Sequence, residues 1–187
     1  MKITNSIKAK YILKLYKDLI KKNDKVLDIG SGNGYISKLI EEEYGVKMFG
    51  IDVIDHNKSD INFSIYNGRN IPFEDNYFDV TMFNTILPHI KTMYCCRILK
   101  EAKRVSKKIL IFDMDKYKLK NILFYYPLTF LLDIIPHPEM EFGFNLRTRK
   151  QVIDLFNQSD LKVVQETYVK IPFWYPLTHI FFELKGR

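Results

Sequence analysis

Three glycines are grouped in a short segment that could hold a ligand against the backbone. The segment reads Asp28-Ile29-Gly30-Ser31-Gly32-Asn33-Gly34, and it closes a short apolar run. Glycine has no Cβ and accepts positive φ angles, so a ligand can come close to the main chain at such a turn. The alternative is a tight turn without a ligand, but three glycines in five residues weaken a fold unless the space that they leave is used. We therefore expect a binding site at residues 30–34.

Spacing and charge distinguish two kinds of ligand for this turn. A dinucleotide site has the pattern G-x-G-x-x-G, whereas the spacing here is G-x-G-x-G and Tyr35 follows it. The carboxylate of Asp28, two residues before the first glycine, would repel a diphosphate and attract an amino-acid ammonium. Asp52 ends a second apolar run and could accept both hydroxyls of a ribose, which either ligand would carry. The pattern favours the ammonium-bearing ligand, with a dinucleotide as the alternative.

Strands and helices alternate around this turn. Apolar runs predict strands at 25–29, 46–52, 61–66, 78–83, 108–113, 161–168 and 178–184. Helical spacing and capping signals predict helices at 7–20, 35–44, 92–105 and from 148 onward. The last of these opens with the capping box Thr148-Arg149-Lys150-Gln151. Such alternation implies right-handed crossovers and a mostly parallel sheet covered on both faces, so the fold class is α/β.

One segment, 116–146, fits neither period and is predicted to be an aromatic-rich insertion after the fifth strand. Its apolar run, 122–135, contains a proline and an aspartate and is shorter than the roughly 20 residues that span a bilayer. An insertion at this place lies at the carboxyl end of the sheet, where open α/β folds bind ligands. We expect a lid over a hydrophobic small molecule, with a peripheral membrane contact or a homodimer contact through 122–135 as alternatives.

Length and composition narrow the class of protein. The 187 residues suit a single domain, 1–187. Its expected parts are an N-terminal helix at 1–24, a ligand-binding half at 25–115, the insertion at 116–146, and a C-terminal helix with two strands at 147–187. Two cysteines, adjacent in sequence, supply neither a disulfide framework nor a structural zinc site, and we predict no metal. The polar start at 1–6 is unlike a secretory signal, so a cytoplasmic protein is expected.

The net charge of +7 could attract a polyanion, because a positive field concentrates nucleic acid or anionic lipid near a protein. The lysines are scattered, however. Six of them lie along the predicted first helix, at positions 8, 10, 14, 17, 21 and 22, and they do not form a dense run. We interpret them as solvated lysines, so nucleic acid is the less favoured partner.

The order of three segments resembles a known family. Val26-Leu27-Asp28-Ile29-Gly30-Ser31-Gly32-Asn33-Gly34 is followed by Gly50-Ile51-Asp52-Val53, and then by Asn67-Gly68-Arg69-Asn70-Ile71-Pro72-Phe73-Glu74-Asp75-Asn76-Tyr77-Phe78-Asp79-Val80. Together they resemble the successive motifs of class I methyltransferases, and most closely the type 11 methyltransferase domain, which includes relatives of quinone-biosynthesis methyltransferases. The resemblance runs over about 25–113. It implies a Rossmann-like, doubly wound, mostly parallel seven-stranded sheet and S-adenosylmethionine as cofactor.

The resemblance also implies roles for individual residues. The backbone of Gly30, Ser31, Gly32, Asn33 and Gly34 would cradle the methionine and ribose. Asp28 would hold the ammonium, Asp52 the ribose hydroxyls, and Val53 would pack on the adenine. Asn67, next to Gly68, stands where the family often has an aspartate that accepts a hydrogen bond from the adenine amino group, and an asparagine carbonyl can accept the same bond. Asn84 would line the methionine and the acceptor cleft.

For the reaction itself, methyl transfer from a sulfonium is an in-line displacement, in which the protein aligns the nucleophile and excludes water. His89, just beyond the fourth strand, is the candidate general base, and the alternative is a histidine that caps the next helix. His137 in the insertion is a weaker candidate.

The expected function is methylation of a small hydrophobic or aromatic acceptor. Two alternatives remain open at this point. One is a nucleic-acid or protein methyltransferase, although Asn84-Thr85-Ile86-Leu87 is not the tetrapeptide of base-amino methylation. The other is a non-catalytic module that binds S-adenosylmethionine.

Overall fold

A computed structural model of the chain describes residues 2–115, 145–169 and 178–187. The strands are β1 (Lys25–Ile29), β2 (Lys47–Asp52), β3 (Asn62–Ile65), β4 (Val80–Asn84), β5 (Ile109–Met114), β6 (Leu161–Val169) and β7 (His179–Gly186). The helices are α1 (Lys2–Tyr16), α2 (Tyr35–Tyr44), α3 (Thr92–Val105) and α4 (Arg149–Gln158), and a 3-10 helix spans Leu87–His89. Of the predicted insertion, only residues 145 and 146 are among the described residues, and His137 is not.

The seven strands form one sheet in the order β3-β2-β1-β4-β5-β7-β6. Only β7 runs antiparallel to its neighbours, and every other pair is parallel. The prediction of a mostly parallel seven-stranded α/β sheet is therefore confirmed. Because β1 and β4 are parallel neighbours in the middle of the sheet, their carboxyl ends meet at one edge. The chain order reverses between these two strands, and open α/β sheets bind ligands at such a point.

Helices cover both faces of the sheet, as the alternating pattern indicates. On one face α3 and α4 pack on residues such as Ile29, Ile111 and Phe182. On the other face α1 and α2 pack on a second cluster, which includes Val26 and Phe112. Strands buried on both faces explain why β1 and β5 are mostly apolar in the sequence.

The ends of the helices follow their capping residues. Gly45 ends α2 in the left-handed conformation with φ of 63°, and the Thr148–Gln151 capping box is present at the start of α4. The first helix differs from its predicted range of 7–20. It begins at Lys2 and ends at Tyr16, because the backbone N–H groups of Leu19 and Ile20 turn back to the Tyr16 carbonyl. In the described parts of the chain, no helix is long and apolar enough to cross a membrane.

The segment between β3 and β4 is held against α3 by one guanidinium. Arg104 donates five hydrogen bonds of 2.8–2.9 Å, to the carboxylates of Glu101 and Asp75 and to the carbonyls of Ile71 and Phe73. Glu101 in turn accepts a hydrogen bond from the Ile71 backbone N–H. These contacts fix the approach to β4, whose carboxyl end contributes to the ligand edge of the sheet.

We expect Arg104→Met to lower the free energy of unfolding by about 2 kcal/mol, because its five hydrogen bonds, four of them partly buried, are lost together. Arg97→Met is the matched control on the same helix, since Arg97 is exposed and donates to the exposed Asn70. That control should change the free energy by less than about 0.5 kcal/mol. Urea unfolding followed by circular dichroism measures both values. Equal losses of free energy in the two variants would contradict the role of Arg104 in holding the segment between β3 and β4 against α3.

Candidate functional site

A pocket of about 150 Å³ opens where β1 and β4 end. Nine described residues line it, namely Lys8, Asp28, Gly30, Ser31, Gly32, Asn33, Tyr35, Ile36 and Asn84. Six of the nine are residues that the sequence predicted to bind the cofactor. The other three, Lys8, Tyr35 and Ile36, come from α1 and from the first turn of α2.

The three glycines of the turn have different reasons to be glycine. All have positive φ, but a Cβ on Gly30 would lie 2.4 Å from the Ile86 side chain, and one on Gly34 would lie 2.5 Å from Asn57 Oδ1. Their space is filled by the protein itself. A Cβ on Gly32 would meet nothing within 4 Å. Gly32 is therefore the position in the turn that faces open space and leaves its backbone accessible to a ligand.

The side chains within the turn lie close to the neighbouring backbone. The Ser31 hydroxyl is buried, has no hydrogen-bond partner among the described residues, and lies 2.7 Å from where a Cβ on Gly50 would be. Asn33 Oδ1 accepts a hydrogen bond from the Tyr35 backbone N–H, 3.1 Å away, at the start of α2. The backbone of the turn is held as well, because the carbonyls of Ser31 and Asn33 accept hydrogen bonds from the N–H groups of Gly34 and Lys58.

Asp28 is a buried carboxyl beside the turn. Only 2% of the residue is exposed, and its two oxygens accept hydrogen bonds from Ser37 Oγ at 2.6 Å and from Asn84 Nδ2 at 3.3 Å. Burial raises the pKa of Asp28 to about 7, although both hydrogen bonds act in the opposite direction. A cationic group brought next to this carboxyl would restore its charge, because it replaces the lost hydration by an ion pair.

The orientation of Asn84 is set from α1. Its Oδ1 accepts a hydrogen bond from the Tyr16 hydroxyl at 2.8 Å, which turns its amide nitrogen toward Asp28. Burial raises the pKa of Tyr16 well above its usual value, so the phenol stays a donor. The chain Tyr16–Asn84–Asp28–Ser37 therefore links α1, β4, β1 and α2.

Asp52 lies at the carboxyl end of β2 and does not line the pocket described above. Its Oδ2 accepts a hydrogen bond from the Gly32 N–H at 2.8 Å, and its Oδ1 accepts one from the Val53 N–H at 2.7 Å. The carboxylate is thus tied to the open glycine and held in one orientation, with oxygen lone pairs remaining for a ligand's hydroxyls. The Val53 side chain is 54% exposed, which leaves an apolar surface beside it.

Asn67 follows β3 and is exposed. Its carbonyl accepts hydrogen bonds from the backbone N–H groups of Arg69 and Asn70, both at 2.9 Å, so it shapes its own loop. Gly68 has φ of 69°, and a Cβ there would lie 3.1 Å from Val53. The structure places Asn67 and Gly68 on the β2–β3 side of the turn, outside the pocket.

A strained residue follows β4. Thr85 has φ of 59°, a conformation that costs a β-branched residue about 1–3 kcal/mol. Its backbone N–H donates to the Phe112 carbonyl at 2.7 Å, and its hydroxyl accepts from Lys8 Nζ at 3.1 Å. His89, at the end of the 3-10 helix, is half-buried on this side and is not among the residues that line the pocket.

A family model described as a methyltransferase domain matches residues 27–111. These residues include the glycine turn, Asp28, Asp52 and Asn84. This part of the chain belongs to the methyltransferase domain family. No curated protein matches the sequence.

Solved structures share the fold of this chain. An S-adenosylmethionine-dependent methyltransferase from Methanosarcina mazei is 18% identical, with a TM-score of 0.71, over 92% of this chain and 96% of that one. A protein from Pyrococcus horikoshii OT3 is 22% identical, with a TM-score of 0.68, over 95% and 91%. Geranyl diphosphate C-methyltransferase from Streptomyces coelicolor, solved with Mg²⁺, geranyl diphosphate and S-adenosyl-L-homocysteine, is 12% identical, with a TM-score of 0.64, over 98% and 81%.

The methyltransferase domain confirms the predicted family and its cofactor, S-adenosylmethionine. The site residues present fit this cofactor. Gly32 leaves open space where a ligand is expected to contact the protein backbone, and the buried Asp28 offers a carboxyl to an ammonium. When bound, S-adenosylmethionine supplies an electrophilic methyl group on a sulfonium.

Alanine substitutions should separate the two kinds of glycine in the methyltransferase turn. Gly30→Ala adds a clash with Ile86 to the cost of positive φ, so we expect it to lower the free energy of unfolding by about 3 kcal/mol or more. Gly32→Ala should cost only the φ term, about 1–2 kcal/mol, and should weaken S-adenosylmethionine binding at least about tenfold. Urea unfolding and calorimetric titration measure these quantities. A Gly32→Ala protein that binds like wild type would show that Gly32 does not face the cofactor.

Proposed function

We propose that this methyltransferase transfers the methyl group of S-adenosylmethionine to a small acceptor of hydrophobic or aromatic character. The observation that carries the proposal is the pocket between β1 and β4, in which a buried carboxyl, Asp28, stands beside the open backbone of Gly32. A cationic amino-acid group fits this arrangement better than a diphosphate does, because a second negative charge near Asp28 would be repelled.

Three groups of residues divide the cofactor between them in this proposal. Asp28 holds the ammonium of the methionine end, and Asn84 orients Asp28 from β4. Asp52 accepts the ribose hydroxyls, since its carboxylate is already fixed by Gly32 and Val53. The exposed Val53 side chain, with the Asn67 loop beyond it, packs on the adenine.

The acceptor side of the proposal rests on the aromatic composition of 116–146 and on its place in the chain after β5. The Streptomyces coelicolor enzyme, which shares the fold, acts on geranyl diphosphate, an acceptor with an apolar chain. His89 is the proposed group for taking a proton from the acceptor, because it follows β4 on the edge where Asn84 lies.

The affinity for S-adenosylmethionine should rise with pH through Asp28. In the free protein its pKa is about 7, so the carboxyl is mostly protonated at pH 6 and mostly charged at pH 8. The ammonium of the ligand binds the charged form, hence affinity should increase up to about tenfold over this range, with a proton released on binding. Calorimetric titration at pH 6, 7 and 8 in two buffers measures both effects.

Asp28→Asn should remove this rise of affinity with pH. The ligand's own amine titrates equally with the wild-type and the variant protein. The ratio of the two affinities at each pH therefore reports the titration of Asp28 alone. Asp113→Asn is the matched control. Burial also raises the pKa of Asp113 to about 7, but Asp113 does not line the pocket. It should keep the wild-type slope. An Asp28→Asn protein with an unchanged slope would contradict the ammonium role.

Turnover tests the reaction. Purified protein should form S-adenosylhomocysteine with at least one member of a panel of prenyl, phenolic and quinol compounds, and not with an oligonucleotide or a peptide pool. His89→Gln should lower kcat about a hundredfold while the affinity for S-adenosylmethionine stays within about twofold. Methylation confined to the oligonucleotide or peptides would overturn the small-acceptor proposal, and an unchanged kcat would remove His89 from the reaction.

A further inference from the structure

Lysines that are scattered in the sequence are brought together on one side of the fold. Lys10 and Lys14 are exposed on α1, four residues apart, and the exposed Lys17 follows three residues later, directly after the helix. Spacings of four and three residues place side chains on one face of a helix. Ile12 and Tyr16 bury the opposite face against the sheet. The outer face of α1 therefore carries a row of lysines.

Two further lysines lie on the side of the sheet that α1 covers. Lys162 on β6 and Lys185 on β7 are exposed and stand directly opposite each other in the antiparallel ladder. Side chains alternate along a strand, so Lys185 shares its face of the sheet with Phe181, whose ring lies 5.8 Å from that of Tyr16 on α1. The basic face is the name used below for these five exposed lysines, Lys10, Lys14, Lys17, Lys162 and Lys185.

The charge of the basic face is not compensated within the described part of the chain. Like charges directly opposite each other on neighbouring strands are unfavourable, as they are for Lys162 and Lys185. None of the five lysines forms an ion pair with a described residue. The exposed acids Glu42 and Glu43 lie on α2, so the basic face ends between α1 and α2. A surface of this kind attracts a polyanion.

An anionic lipid bilayer fits the basic face better than a nucleic acid does. All five cations are lysines, which lack the planar fork with which arginine binds a phosphate or a base edge. Single-stranded nucleic acid also needs exposed aromatic rings on which bases stack. The exposed tyrosines of the described chain lie elsewhere: Tyr35 is at the pocket, Tyr94 is on α3, and Tyr168 is on the opposite face of the sheet from Lys162. A bilayer surface requires only a group of cations.

We propose that the basic face docks this protein on an anionic lipid membrane. The choice of a membrane also rests on the proposed function, because a hydrophobic acceptor dissolves in the bilayer and docking brings the enzyme to it. A group of about four to eight cations is typical of surfaces that bind acidic lipids, and each lysine near such a surface increases the affinity about fivefold. The attraction is electrostatic, so salt screens it.

Vesicle flotation tests the docking. The purified protein should bind vesicles that contain equal amounts of phosphatidylcholine and phosphatidylglycerol, should not bind phosphatidylcholine vesicles, and should be released in about 0.5 M salt. Lys14→Gln combined with Lys17→Gln should weaken binding roughly twentyfold, because two lysines are neutralised. Lys162→Gln combined with Lys185→Gln should do the same, and the fold should tolerate it, since this change removes a repulsion.

Lys100→Gln combined with Lys150→Gln is the matched control, since it removes the same charge from exposed positions on α3 and α4. This control should bind the mixed vesicles within about twofold of wild type. Equal weakening by the control would overturn the inference, because net charge and not one face would then cause the binding. Wild-type protein that does not bind the mixed vesicles would overturn it too.

An oligonucleotide that binds more tightly than the mixed vesicles, and that loses affinity in the Lys14 and Lys17 variant, would overturn the inference in favour of nucleic acid. All variants should bind S-adenosylmethionine as the wild type does, because the five lysines do not line the pocket. Protein that binds vesicles but not S-adenosylmethionine would overturn the proposed function and leave the docking standing. The converse result would overturn the docking alone.

Discussion

The buried carboxyl of Asp28 ties together the elements that form the ligand edge. Ser37 reaches it from α2 and Asn84 from β4, and Tyr16 on α1 holds Asn84 in turn. Burying a carboxyl is unfavourable unless hydrogen bonds compensate it, and the raised pKa shows that these two do so only in part. The protein therefore carries an unfavourable group at the centre of its sheet, which an incoming cation can relieve. Asp113 is a second buried carboxyl with a raised pKa, and Asp28 differs from it in lining the pocket.

The glycine turn shows why a motif and a binding site are not the same set of residues. Gly30 lets the turn pack against Ile86, and Gly34 lets it pack against the loop that holds Asn57. Both are requirements of the fold. Gly32 alone in the turn has open space around its missing side chain, and Asp52 accepts a hydrogen bond from its N–H. The outer glycines hold the middle one where a ligand can reach its backbone.

The sequence predicts the sheet and the place of the site because both depend on local patterns. A short apolar run followed by glycines is a strand and a turn wherever it occurs, and parallel strands bring Asp28 and Asn84 to the same edge. Lys8 could not be separated from its neighbours in this way. It stands 77 residues from Thr85, and a lysine among several on a polar-looking helix indicates solvent exposure. Its spacing from Ile12 and Tyr16 was the available signal.

The segment that follows β4 depends on a contact that no local pattern indicates. Arg147, just before α4, is 7% exposed and donates to the carbonyls of Leu87 and Ile90 at 2.8 Å and to Thr92 Oγ1 at 3.1 Å. These acceptors belong to the chain on either side of His89, so one guanidinium holds the segment that follows β4.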